Sequence, residues 1–134
     1  MFKKINYQDL NPRQQENYNF QKISAVLADY GFTTLRLSDD WQGADFIAQH
    51  IDGELFLKVQ LKGRLTFCKK YLGKNLHVAF HMDDQWYLYP HDELFKEIAG
   101  MSNLEKTKSW LDKGEYHFPA LPVIYRSVLE KYAV

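Results

Sequence analysis

The dipeptide Asp52-Gly53, set between the runs Phe46 to His50 and Leu55 to Lys62, constrains this chain more than any other feature. Asp-Gly is a favoured centre for a two-residue hairpin turn, because such turns need positive φ at both central positions. The second run is therefore expected to lie antiparallel to the first. With the turn centred on Asp52 and Gly53, residues whose numbers sum to 105 face each other, which sets Asp45 opposite Gln60 unless a bulge shifts the register by one. Strand side chains alternate faces, so Gln60 and Lys62 point one way and Val59 and Leu61 the other. An acid, an amide and an amine are thus predicted on one patch of sheet.

That trio has a chemistry. A carboxylate and an amide oxygen are hard ligands, and beside an ammonium they can hold a hard metal ion against a phosphate, as metal-dependent phosphodiester hydrolysis requires. A second acid precedes them. Asn11-Pro12 reads as a helix start, Asn as cap and Pro where its missing N–H costs nothing, with the helix running to Tyr30 and Gly31 as its stop. Glu16, Phe20, Ile23, Leu27 and Tyr30 form one stripe of that helix. Glu16 lies in line with the apolar face, where a metal or a lysine would partner it, yet it is also early enough to serve the helix dipole.

Taken together, Glu16 on a helix, Asp45, a short hairpin and Gln60-Leu61-Lys62 on the next strand resemble the core of the PD-(D/E)xK nuclease superfamily, the restriction-endonuclease-like fold that includes Holliday-junction resolvases. The resemblance spans Asn11 to Leu94 and leaves the C-terminal forty residues unexplained. It implies a three-layer α/β fold and a catalytic set of Glu16, Asp45, Gln60 and Lys62. Mg2+ (or Mn2+) would be held by Asp45, the Gln60 side-chain carbonyl and the Leu61 backbone carbonyl, with Glu16 on a second ion or on the hydrated shell. Lys62 would orient the attacking water and neutralise charge on the phosphorane. DNA would be cut to a 5′ phosphate and a 3′ hydroxyl, and a homodimer is compatible with cutting two strands. Two departures stand out: Gly43-Ala44 precedes the Asp, and Gln60 replaces the usual acid, which predicts weaker metal binding.

The remaining sequence bounds these expectations. With 134 residues, 46% hydrophobic and 16% aromatic, the chain is expected to be one globular domain, 1-134, too apolar for disorder. No apolar run approaches the roughly 20 residues of a membrane span, and Met1 to Asn6 lacks the apolar core of a secretory signal, so a cytoplasmic protein is expected. The lone Cys68 excludes an internal disulfide and a cysteine-cluster zinc site. Net charge is zero, but between Leu55 and Leu76 stand Lys58, Lys62, Arg64, Lys69, Lys70 and Lys74 without one acid. Lys58, Arg64, Lys69, Lys70 and Lys74 are therefore expected on phosphates, with Tyr71 stacked on an unpaired base, although such a run can also simply solvate a strand and a loop.

Further elements follow from pattern. Strands are predicted over Thr33 to Leu37, Leu76 to His81 and Trp86 to Tyr89, with Ser38 to Gly43 a polar loop and Met82 to Gln85 a turn. Helices are predicted from Pro90 to Ala99, Leu104 to Leu111 and Ser127 to Tyr132. This order predicts a mixed sheet of four to five strands flanked by helices. His77 and His81 share one strand face and read as packing residues, as do Trp86, Tyr87 and Tyr89. No Gly-rich phosphate loop or Gly-x-Ser-x-Gly elbow occurs. Two rival functions remain: a nucleic-acid-binding domain of the same fold with weak or no catalysis, suggested by Gln60, and a protein-interaction module, suggested by zero net charge and abundant aromatics.

Overall fold

The Asn11-Pro12 start behaves as its chemistry requires. The Asn11 side chain accepts the Gln14 N–H while the Gln14 side chain accepts the Asn11 N–H, each at 2.9 Å, a reciprocal cap that opens helix α1 (Pro12–Ala28). The computed structural model describes the backbone of residues 1–134 and every side chain except those of Asp40 and Trp41. After α1 come β1 (Phe32–Trp41), β2 (Ala44–His50), β3 (Phe56–Leu61), β4 (Thr66–Cys68), β5 (Leu76–Met82), β6 (Gln85–Pro90), α2 (His91–Met101), β7 (Glu115–His117) and α3 (Val123–Glu130).

Five strands form one mixed sheet in the order β1-β2-β3-β5-β6, antiparallel except for the parallel β3–β5 pair, and β4 and β7 form a separate two-stranded ribbon. The hairpin register is the expected one: Phe46 pairs with Val59, Ile47 with Lys58, Ala48 with Leu57 and Gln49 with Phe56. The turn is wider than two residues. The last bond runs from the His50 N–H to the Leu55 carbonyl, and the Asp52 carboxylate accepts the N–H groups of Glu54 and Leu55, at 2.9 and 3.0 Å. A four-residue loop centred on the same dipeptide leaves the pairing sum unchanged.

Alternation along β5 sorts the two faces. Ala79 packs with Ile23 and Leu27 of α1, Phe46 and Val59, while Val78 and Phe80 pack with Leu94 and Ile98 of α2 and Leu129 of α3. The result is three layers: α1, the sheet, and the α2–α3 side with its ribbon. This is the α/β architecture of five strands flanked by helices that the sequence predicts. The β5–β6 turn holds Asp83 and Asp84 at φ 51° and 60°, the left-handed pair that a tight hairpin demands.

Several predicted bounds shift. β1 continues to Trp41, so the polar loop Ser38 to Gly43 shrinks to a turn at Gln42-Gly43, because edge pairing with β2 resumes at Ala44. The helix predicted over Leu104 to Leu111 is a 3-10 turn, Leu104–Lys106, and a π-helical turn, Ser109–Lys113, closed by Gly114 at φ 70°. α3 begins at Val123, four residues before the predicted Ser127. Among the described residues, no helix is long and apolar enough to cross a membrane.

Candidate functional site

Asp45 sits where the sheet comes apart. On one side the β1–β2 register shifts after Arg36↔Phe46, and on the other the β2–β3 ladder ends at Phe46↔Val59. The next N–H of β3 on that edge, from Leu61, is accepted by the Asp45 carboxylate at 2.8 Å instead of by a backbone carbonyl. A side chain thus closes the ladder, and the strands open beyond it into a cleft of about 1000 Å³. Glu16, Asp45, Gln60, Leu61 and Lys62 all line that cleft. The four predicted catalytic residues and the predicted carbonyl donor are therefore brought together.

Their surroundings differ. Glu16 belongs to the open wall: its side chain is 72% exposed and its carboxylate lies 3.8 Å from the Arg36 guanidinium, so α1 presents it to solvent and to a cation, while burial along the stripe starts lower down at Ile23. Gln60 is half-buried, and its amide N–H approaches the Leu61 carbonyl at 3.4 Å. Lys62 is half-buried too, its ammonium 5.7 Å from the centre of the Tyr71 ring. A cation over an aromatic face is drawn to it, which limits the wandering of the side chain.

The turn before Asp45 is pressed against the same tyrosine. Gly43 has φ 89°, and a Cβ there would fall 2.9 Å from Leu76 Cδ1 and 3.0 Å from Tyr71 Cε1. Ala44, Cys68, Tyr71 and Leu76 form a small buried cluster behind the cleft. This corrects one expectation. Tyr71 is only 2% exposed and its ring meets the buried His91 edge-on, 5.4 Å between centroids, so it supports Lys62 from within and presents no face for stacking on a base.

The basic residues divide. Lys58 is half-buried and donates to the Gln42 side chain and to the Lys74 carbonyl, which ties β3 to the loop before β5. Arg64, Lys69, Lys70 and Lys74 are exposed. Lys69 and Lys70 line another cavity, of about 440 Å³, with Cys68 and residues 111–115, and their ammonium groups lie over Trp110 and Tyr71 at 5.4 and 5.5 Å. Three cleft residues lay outside the sequence reading: Arg13, Arg36 and Asp39. Arg36 donates to Asn17 and lies 5.5 Å over Phe20, bridging α1 and β1. A signal for it existed, since Arg36 is a lone cation in the apolar run Thr33 to Leu37.

The cleft thus gathers the acids Glu16, Asp39 and Asp45 and the bases Arg13, Arg36 and Lys62. Among the described residues, no three His, Cys, Asp or Glu side chains are grouped closely enough to hold a metal ion by themselves. The donors around Asp45 are oxygens of a carboxylate, an amide and a backbone carbonyl, a hard set that suits Mg2+ or Mn2+ better than zinc.

No protein family and no curated protein matches the chain in sequence. Solved structures align with it in three dimensions. A Holliday junction resolvase from the archaeal hyperthermophile Archaeoglobus fulgidus aligns over 52% of this chain and 74% of its own, at 15% identity and a TM-score of 0.42. A bacterial homing endonuclease, I-Ssp6803I, aligns over 91% of this chain and 94% of its own, at 14% identity and a TM-score of 0.49.

Proposed function

We propose that this cleft hydrolyses DNA phosphodiester bonds with the help of a divalent cation, Mg2+ or Mn2+. The observation that carries the reading is the 2.8 Å bond from the Leu61 N–H to the Asp45 carboxylate, which fixes Asp45 beside Gln60-Leu61-Lys62 at the end of the ladder. Asp45, the Gln60 side-chain oxygen and the Leu61 carbonyl would hold the cation, with Glu16 on the facing wall serving its hydrated shell. When bound, the cation supplies Lewis-acid polarisation of the phosphate and a more acidic water.

The chain's own residues do the rest. Lys62 Nζ, steadied by the Tyr71 ring, donates to the attacking water and to a phosphate oxygen, where charge grows during in-line displacement. Arg36 and Arg13 line the cleft as further phosphate contacts, and the Arg36 guanidinium lies 3.8 Å from the Glu16 carboxylate. Exposed Arg64 and Lys74 would extend the backbone contacts, giving salt-dependent affinity without sequence reading.

The test is cleavage of labelled single-stranded, duplex and four-way-junction DNA with Mg2+ or Mn2+. Asp45→Ala should abolish cutting and Lys62→Ala should lower it by about two to three orders of magnitude, each in a protein that remains folded. Cutting that survives both substitutions would refute the reading. A second reading, a nucleic-acid-binding domain with weak or no catalysis, is favoured by one observation: the neutral Gln60 amide N–H turns toward the Leu61 carbonyl, itself one of the proposed ligands. Gln60→Glu separates the two. A gain of tight Mg2+ binding from none would support the binding domain, whereas cutting by the native protein would exclude it.

A further inference from the structure

Lys62 belongs to two cavities. Besides the cleft, it lines a separate cavity of about 310 Å³ on the α1 side of the sheet, together with Tyr7, Tyr18, Asn19, His81 and Trp86. That volume is at the small end of the range for ligand pockets. Two aromatic pairs wall it. Tyr7 meets Tyr18 edge-on at 5.3 Å, and His81 leans on Trp86 at 5.1 Å, a cross-strand pair of the β5–β6 hairpin. Asn19 donates to the Tyr7 hydroxyl at 2.9 Å, locking the loop before α1 to the helix and placing a carboxamide on the cavity wall. Gly63 also lines it, and its Cβ position meets nothing within 4 Å.

Aromatic walls with a few polar groups suit a planar ligand with hydrogen-bonding edges. A shared lysine between this cavity and the cleft suits a ligand whose planar part is joined to a phosphate. We infer that the cavity receives an unstacked nucleobase of a DNA strand whose phosphate lies at Lys62. The inference rests on the nuclease reading for the identity of the neighbouring phosphate, but the cavity's walls are independent of Asp45 and of any cation. It also relocates the base contact that the sequence had assigned to Tyr71. Base-on-aromatic stacking tolerates any base, so the pocket would favour distorted or single-stranded DNA over a relaxed duplex without reading sequence.

The test compares a short labelled thymidine strand with a strand of the same length that lacks its bases, in EDTA and at low salt, with thymidine 5′-monophosphate as a competitor. The base-bearing strand should bind about 5- to 100-fold more tightly than the abasic one. His81→Ala and Tyr18→Ala should each collapse that ratio toward one while leaving abasic binding unchanged. His81 is exposed, so its variant is expected to fold normally, as a circular-dichroism melt would verify. A ratio near one in the native protein, or an undiminished ratio in both variants, would overturn the pocket. Monophosphate binding tighter than the strand would overturn the strand assignment and point to a free nucleotide. Asp45-dependent cleavage with a ratio of one would leave the nuclease and remove the pocket. Base-dependent binding lost in the variants, with no cleavage under any cation, would do the reverse.

Discussion

The two faces of the sheet are built differently. On the α2–α3 face, Phe67 is fully buried and its ring touches those of Tyr89, His91, Phe95 and Phe118 at 5.7 to 6.2 Å. Tyr89 closes this core with a polar clasp, its hydroxyl donating to the Thr66 carbonyl at 2.6 Å and accepting the Thr66 N–H at 3.2 Å. The α1 face has smaller buried residues, with Ala48, Val59 and Ala79 beneath Ile23 and Leu27, and an aromatic pair at its edge, Phe20 with Phe46 at 5.2 Å. Residues of α1 help to wall both cavities next to Lys62, whereas the Lys62 side chain itself reaches Tyr71, whose ring packs against His91 of the dense side. The dense core fixes β3 and β5 from behind, so that the strand ends can open and present charged groups.

The largest expected effect would break this contrast directly. Phe67→Ala should cost about 3–5 kcal/mol of unfolding free energy, because the emptied space is walled by rings that cannot collapse into it. Phe20→Ala, at the half-buried edge of the lean face, should cost less than half as much. Equal losses in urea titrations of the two variants would refute the division into scaffold and site. Next in size is chemistry: Lys62→Ala should lower the cleavage rate by about 10²–10³-fold, the scale of removing one preorganised donor, while leaving the melting temperature nearly unchanged. A rate within threefold of the native protein, about 0.6 kcal/mol, would mean Lys62 serves only as a wall.

What could be read in the sequence was what depends on local geometry. Asp52-Gly53 fixed the pairing sum, and Asn11-Pro12 fixed the start of α1, because turns and caps are set by a few adjacent residues. The candidate cleft lies one step beyond that register, where the ladder ends at Phe46↔Val59 and the Asp45 carboxylate takes the Leu61 N–H. Three things were hidden. β4 and β7, each three residues long, pair across almost fifty positions of sequence, and no periodicity fits so short a strand. Tyr71 stands between lysines and Leu72, a context that reads as surface, yet the 3-10 turn Lys69–Tyr71 points its ring inward against Gly43. Asp39 joins the cleft because β1 runs on past its predicted end at Leu37 and shifts register there.

Gly43 sharpens the comparison at the seam between core and cleft. Gly43→Ala should cost about 1–3 kcal/mol, since the new methyl meets Leu76 and Tyr71 and the residue keeps a positive φ. Because Tyr71 would have to yield, Lys62 should shift with it, and cleavage should fall more than the melting temperature predicts. Gly53→Ala is the control, with a similar φ of 77° and nothing near its Cβ, so only the backbone term remains. If the two variants lose activity alike, Tyr71 does not position Lys62.

The smallest effect concerns two histidines, one facing each side of the sheet. His91 is fully buried, accepts the Cys68 N–H on Nε2 at 3.1 Å and places Nδ1 2.8 Å from the Asp92 carboxylate. Burial pushes its pKa below the ordinary value and outweighs the opposing pull of Asp92. His77 is also pushed down by burial, against a weaker opposing pull from Glu93, and its Nδ1 is buried without a hydrogen-bond partner among the described residues. For a base whose folded pKa is depressed, the unfolded chain binds more protons between the two pKa values. Stability is then complete above the unfolded value, about 6.5, and is lost as pH falls toward the folded one. The melting temperature should therefore decline from pH 6.5 downward, before the carboxylates near pH 4 begin to contribute. His77→Phe removes one of the two proton sites together with an unpaired polar atom, so it should flatten that decline and change stability at neutral pH by no more than about 1 kcal/mol. His91→Phe loses the acceptor for Cys68 and should cost about 1–3 kcal/mol at neutral pH. An acid limb that His77→Phe leaves as steep as before would assign the whole effect to the dense face and to His91 alone.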